Sequence, residues 1–98
     1  MSVSKIATFT IQPDAVEAVE QAISTFVGAI GRKELGRTLF YKSYRQTENP
    51  LAYVHIMTFR DADAEEAHKH APHTKQFVEV LYPLCSEAPE FKDLEEVV

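Results

Sequence analysis

The chain lacks most of the signatures that announce a cofactor or a polymer partner. It has no Gly-rich phosphate loop, no paired CxxC and no internal repeat in its 98 residues, so nucleotide cofactors and structural zinc find no support. Glycine occurs only three times. The single cysteine, Cys85, cannot form an internal disulfide, and its apolar neighbours Leu81, Leu84 and Val80 mark it as a structural thiol. Positive charge is short as well. Ten Lys and Arg against fifteen Asp and Glu give a net charge of −5, and the cations are scattered along the chain, which argues against a nucleic-acid partner. No apolar run approaches the ~20 residues of a membrane span, and the start Met1–Thr10 alternates polar and apolar residues where a secretion signal needs a continuous apolar core. A cytoplasmic protein is therefore expected.

What is present reads as one domain over residues 1–98, large enough to bury roughly 65% of the surface its unfolded chain exposes. Residues 3–11 alternate as a strand, with Lys5, Ala7, Phe9 and Ile11 in one set and Ile6, Thr8 and Thr10 in the other. Pro13 marks a helix start. From Ala15 to Ile30 the residues Val16, Val19, Ile23, Phe26, Val27 and Ile30 recur at helical spacing, and Gly31 supplies a stop. Residues 35–46 form a second strand, with Leu39 and Tyr41 on one face and Phe40 and Tyr44 on the other. The turn Thr47–Pro50 returns the chain into a third strand at 51–59, giving an antiparallel hairpin.

That third strand carries Tyr53, His55, Met57 and Phe59 on one face and Val54 and Ile56 on the other, so both faces call for cover. It leads through aspartates suited to cap a helix into an Ala/Glu-rich segment that ends His68-Lys69-His70-Ala71-Pro72-His73, holding three of the four histidines. Pro72 cannot donate and crowds the preceding turn, so two helical pieces meeting at a kink are predicted. Pro89 ends the second piece, and residues 91–98 supply a last strand. The order βαββαβ is the ferredoxin-like α+β arrangement: a four-stranded antiparallel sheet with two helices on one face. The other face stays bare, and a second copy packed sheet to sheet is the expected cover.

The segment Arg32-Lys33-Glu34-Leu35-Gly36, the turn Asn49-Pro50 and the spacing His68-x4-His73-x3-Phe77 resemble the antibiotic biosynthesis monooxygenase family of dimeric α+β barrels. Leu35 stands where the family usually has proline, and Met57-Thr58-Phe59 where it usually has Glu-x-Trp. The resemblance implies a homodimeric enzyme that inserts oxygen into a quinol or polycyclic phenol without metal, flavin or nicotinamide. A deprotonated substrate of this kind can itself reduce dioxygen, so the protein need supply only an apolar pocket and a base. The resemblance makes His73 and His68 the candidate bases, histidine having an unperturbed pKa near 6.5, with Tyr41, Tyr53, His55, Met57, Phe59 and Phe77 as candidate substrate contacts. The His68/His70/His73 spacing, interrupted by Pro72, is a poor metal site. Two other readings share the scaffold: a non-catalytic ligand-binding or interaction domain, and a heme-binding or heme-degrading relative. The absence of tryptophan speaks against the heme reading.

Overall fold

A computed structural model describes residues 1–98. Strand β1 (Val3–Thr10) is followed by a short 3-10 turn (Pro13–Ala15) and helix α1 (Val16–Lys33). Strands β2 (Thr38–Arg45) and β3 (Ala52–Phe59) come next, then helices α2 (Ala62–His70) and α3 (Pro72–Leu84), and finally strand β4 (Glu90–Leu94). The four strands make one antiparallel sheet in the order β2-β3-β1-β4, as the ferredoxin-like reading requires. The expected β2–β3 hairpin forms, as do the two helical pieces flanking Pro72.

Several boundaries differ from expectation for local reasons. Helix α1 runs through Gly31 to Lys33. Arg32 and Lys33 favour the negative end of its dipole; the backbone leaves the helix at Glu34 and turns through Gly36, at φ +80°, where a side chain would be strained. Residues 34–37 are consequently a turn, with the Glu34 carbonyl accepting from both Arg37 and Thr38, and β2 starts at Thr38 instead of Leu35. A bulge between Thr38 and Phe40 leaves Leu39 out of the pairing, and its side chain is exposed. Helix α3 ends at Leu84, well before Pro89: Pro83 in its final turn has no N–H to offer, and Cys85 is already extended. Strand β4 covers only Glu90–Leu94, because its partner β1 has just one residue, Val3, beyond the Ser4–Leu94 pair.

The helices α2 and α3 are set by two devices. Asp61 caps α2, its carboxylate accepting from the Ala64 N–H at 2.8 Å. Ala71 is extended, as a residue preceding proline prefers, and Pro72 opens α3 where its missing N–H costs nothing. The two helices therefore meet at an angle, with His68 just before the break and His73 just after it.

The core lies between the sheet and the helices. Val19, Ile23, Phe26 and Ile30 of α1 pack with Phe77 and Leu81 of α3 over Phe9 and Tyr53 of the sheet, and a smaller group joins Ala7, Met57 and Phe59 to Ala64 of α2. The face of β3 that carries Tyr53, His55, Met57 and Phe59 is thus the helix side. The opposite face presents Ile6, Val54 and Ile56, all half-buried, beside the exposed Phe40, Tyr44 and Leu94. No helix is long and apolar enough to cross a membrane.

Candidate active site

Between the sheet and the helices lies a cavity of about 430 Å³, within the range that small-molecule sites occupy. Its walls are mainly aromatic and aliphatic: Phe9, Phe26, Met57, Phe59, Phe77 and Leu81, with Phe26 stacked on Phe77 at 4.3 Å between ring centres. Tyr82, Pro89 and the largely exposed Phe91 stand towards the β4 side, and Lys5, paired with Glu65 at 2.7 Å and Asp93 at 3.3 Å, completes that rim.

Three polar groupings border this interior. The first is a buried cluster of Glu34, His68 and His73, each with less than a tenth of its surface exposed. Glu34 stands at the C-terminus of α1, where the turn at Gly36 directs it beneath the α2–α3 break. There its carboxylate accepts from Nδ1 of His68 at 2.9 and 3.0 Å, from Nε2 of His73 and from the Thr38 hydroxyl at 2.5 Å. Burial pushes the Glu34 carboxyl up, but the hydrogen bonds from Thr38, His73 and His68 outweigh it and hold the group below the usual carboxylate range. It is an ion at neutral pH. Burial pulls His68 below its ordinary value of 6.5 despite the opposing pull of Glu34, so this imidazole is neutral at pH 7. With Nδ1–H committed to the carboxylate, the lone pair of His68 resides on Nε2, which has no protein partner, and His68 lines the cavity among Phe26, Phe59 and Tyr41.

The second grouping is a hydrogen-bonded row across β2 and β3. Ser43 is directly opposite His55, and Tyr41 is opposite Met57, one diagonal step away. His55 Nδ1 meets the Tyr41 hydroxyl at 2.7 Å and its Nε2 meets Ser43 Oγ at 2.9 Å. Burial pushes His55 down to about 4 and raises Tyr41 above the normal phenol range, so both are uncharged. The third is Thr74, whose buried hydroxyl has no partner in the protein.

Of the residues expected at the site, the structure brings Tyr41, His55, Met57, Phe59, His68 and Phe77 to one cavity wall. It does not bring His73 or Tyr53 there. His73 is at the back of the cluster, with Glu34 between it and His68. Tyr53 turns toward α1, where its hydroxyl donates to Glu20 at 2.7 Å and is pushed up to about 12, chiefly by burial. It lines a separate polar cleft with Glu20, Ser24, Ser43, Arg45 and Gln46. Sequence reasoning passed over Glu34, Ser43 and Phe26. Glu34 lies in the segment that carried the family resemblance, and a lone carboxylate between a helix end and a glycine turn was the available signal. Ser43 was legible only once the hairpin register was fixed.

Glu34, His68 and His73 offer ligand atoms within 4.8 Å of one another, a set that could hold a divalent ion. Both carboxylate oxygens are, however, occupied by imidazole and hydroxyl donors, and neither histidine has the carboxylate or carbonyl on its remote nitrogen that usually supports a metal ligand. The arrangement matches a carboxylate-oriented imidazole better than a metal centre.

Buried neutral histidine makes folding sensitive to acid. The folded-state pKa of His55 lies below its unfolded value, so as pH falls from 6.5 toward 4 the unfolded chain takes up a proton that the folded one refuses. Stability is full above pH 6.5 and falls by about 3 kcal/mol across that window, with His68 acting in the same direction. Urea titrations at pH 7 and pH 4 should show that loss. A His55→Phe variant should lose less over the same range.

A ferredoxin-like α+β domain that encloses an aromatic cavity beside a carboxylate-oriented histidine defines a class of small-molecule site. The profile of the family described as antibiotic biosynthesis monooxygenase matches residues 2–80, and the chain belongs to that family. A solved antibiotic biosynthesis monooxygenase is similar at 21% identity and a TM-score of 0.89, covering 98% of this chain and 99% of that one. Rv0793 from Mycobacterium tuberculosis shares 20% identity with a TM-score of 0.90, over 100% of this chain and 97% of its own. PA3566 from Pseudomonas aeruginosa shares 25% identity with a TM-score of 0.86, over 99% and 95%. No curated protein matches the chain. Family membership supports a monooxygenase at the level of the family.

Proposed function

We propose that this protein is a cofactor-independent monooxygenase that oxidises a quinol, anthrone or polycyclic phenol with dioxygen inside the apolar cavity. The observation that carries the reading is His68: neutral, oriented by a buried carboxylate through Nδ1, and presenting an unspent Nε2 in a cavity otherwise walled by aromatic rings. Nε2 takes the acidic proton of the bound substrate. The resulting carbanion or aryloxide gives electrons to dioxygen, a C–O bond forms, and the peroxide then loses water to leave a carbonyl. Overall a substrate CH2, or an aromatic CH ortho or para to a phenol or quinol hydroxyl, becomes C=O while one O2 yields one product oxygen and one water. His73, the base expected from the sequence, becomes a positioning residue that holds Glu34 from the other side. A carboxylate does orient the base, Glu34 through Nδ1 of His68, and it does not come from the Met57 position where the family pattern expects one.

The test is oxygen uptake by chelator-treated protein with dithranol or menadiol. The rate should exceed that in buffer, and kcat/KM should rise with pH through a value below 6.5 and stay level above it, because His68 must be unprotonated. A profile still climbing between pH 7 and 9 would assign the base to another group.

The working unit in this reading is a homodimer in the cytoplasm. The bare sheet face with Ile6, Val54, Ile56, Phe40 and Tyr44 is a large apolar patch for a monomer to leave in water. Light scattering should return twice the chain mass, and Ile56→Asp should return a folded monomer, since an unpaired charge in that contact costs several kcal/mol. Tyr53 points to the helices, so Tyr53→Asp probes folding and not assembly.

A further inference from the structure

Removing a proton inside an aromatic cavity raises the question of where it goes. Most polar groups on the wall are committed: Lys5 to Glu65 and Asp93, and His68 Nδ1 to Glu34. One set of side chains runs from this cavity to the outside. Tyr41 and His55 line the inner cavity, whereas Ser43, half-buried, lines the polar cleft on the α1 side. The three are joined without a gap, Tyr41 Oη to His55 Nδ1 at 2.7 Å and His55 Nε2 to Ser43 Oγ at 2.9 Å. An imidazole bonded at both nitrogens can accept on one while donating from the other, and each hydroxyl can do both.

We propose that Tyr41, His55 and Ser43 form a proton relay connecting the reaction cavity with the outer cleft. The inference rests on the monooxygenase reading and adds the route by which protons leave and return. On the outward pass, a proton arriving at the Tyr41 oxygen from the cavity displaces the Tyr41 proton to His55 Nδ1. His55 Nε2–H passes its own proton to Ser43, and Ser43 releases one to water in the cleft. Every atom ends with its original charge, and His55 has changed tautomer. Peroxide formation then needs one proton back, and the inward pass moves each proton the other way and restores that tautomer. The neutral resting state of His55 suits a conductor that stores no charge.

The pair Ser43→Val and Ser43→Thr tests this, because the two substituted side chains are isosteric with each other and only threonine keeps the hydroxyl. With dithranol as substrate, Ser43→Val should lower kcat by about tenfold or more, leave KM unchanged and enlarge the solvent deuterium isotope effect, while Ser43→Thr should stay near wild type. A readout independent of turnover is the 15N spectrum of His55: Ser43→Val should move the Nε2 signal and leave Nδ1 in place. Wild-type kcat with a wild-type isotope effect in Ser43→Val overturns the relay, as does an unmoved Nε2 signal. A wild type that never turns over defeats the monooxygenase reading itself and the relay with it. A moved Nε2 signal would then mark a purely structural row.

Discussion

His68→Asn is expected to slow oxygen uptake by about 10²-fold or more while leaving the thermal midpoint within a few degrees of wild type. Asparagine can place its amide N–H where Nδ1–H of His68 meets Glu34, so the hydrogen bond that the carboxylate needs survives and the base at Nε2 does not. General-base catalysis typically contributes 10²–10⁴, which sets the size of the loss. The midpoint should hold because Thr38 and His73 continue to bond Glu34. Stopped-flow or electrode measurement of oxygen, alongside a thermal melt, separates the two effects. Retained activity in a stable His68→Asn protein would remove His68 from the chemistry.

Glu34 is where stability and activity should fall together. Glu34→Ala strips three donors of their acceptor in a buried site, and a loss of roughly 3 kcal/mol or more is expected. For a domain of this size that is a drop of roughly 12–24 °C in midpoint. Glu34→Gln keeps the shape but not the charge. Its amide has one accepting oxygen in place of two and no charge to orient the imidazoles, so His68 is freer to turn or change tautomer, and kcat should fall by about 10²-fold with a smaller cost in stability. Activity that survives Glu34→Gln at wild-type level would reduce the carboxylate to a structural role.

The fold was open to sequence reasoning because its signals are local and periodic. Helix α1 declares itself through Val19, Ile23, Phe26 and Ile30, the break at Pro72 through proline's missing donor, and the hairpin through the Asn49-Pro50 turn between two aromatic-rich strands. The errors are at ends, where the competing effects are small: Gly31 is tolerated within α1 because a helix glycine costs only ~1 kcal/mol, and the chain leaves the helix only at Glu34, ahead of the positive-φ turn at Gly36. The site was half legible. Alternation along β3 put His55, Met57 and Phe59 together, and the spacing about Pro72 brought His68 and His73 near each other. That His68, and not His73, reaches the cavity depends on which side of Glu34 each ring takes, and residues 34, 68 and 73 meet only through tertiary packing. Likewise Tyr53 shares a strand face with His55 but sits farther along it, under α1, where Glu20 claims its hydroxyl. Strand parity cannot tell one end of a face from the other.

The most direct measurement for the account is isotopic. Chelator-treated protein should be given dithranol under 18O2 and the product examined by mass spectrometry together with the solvent water. The expected result is one 18O atom per quinone formed and the second in water, with no peroxide released. Unlabelled product with hydrogen peroxide would mean a two-electron oxidation without oxygen insertion. No turnover above buffer with any quinol, phenol or anthrone would leave the cavity as a binding site and contradict the proposal.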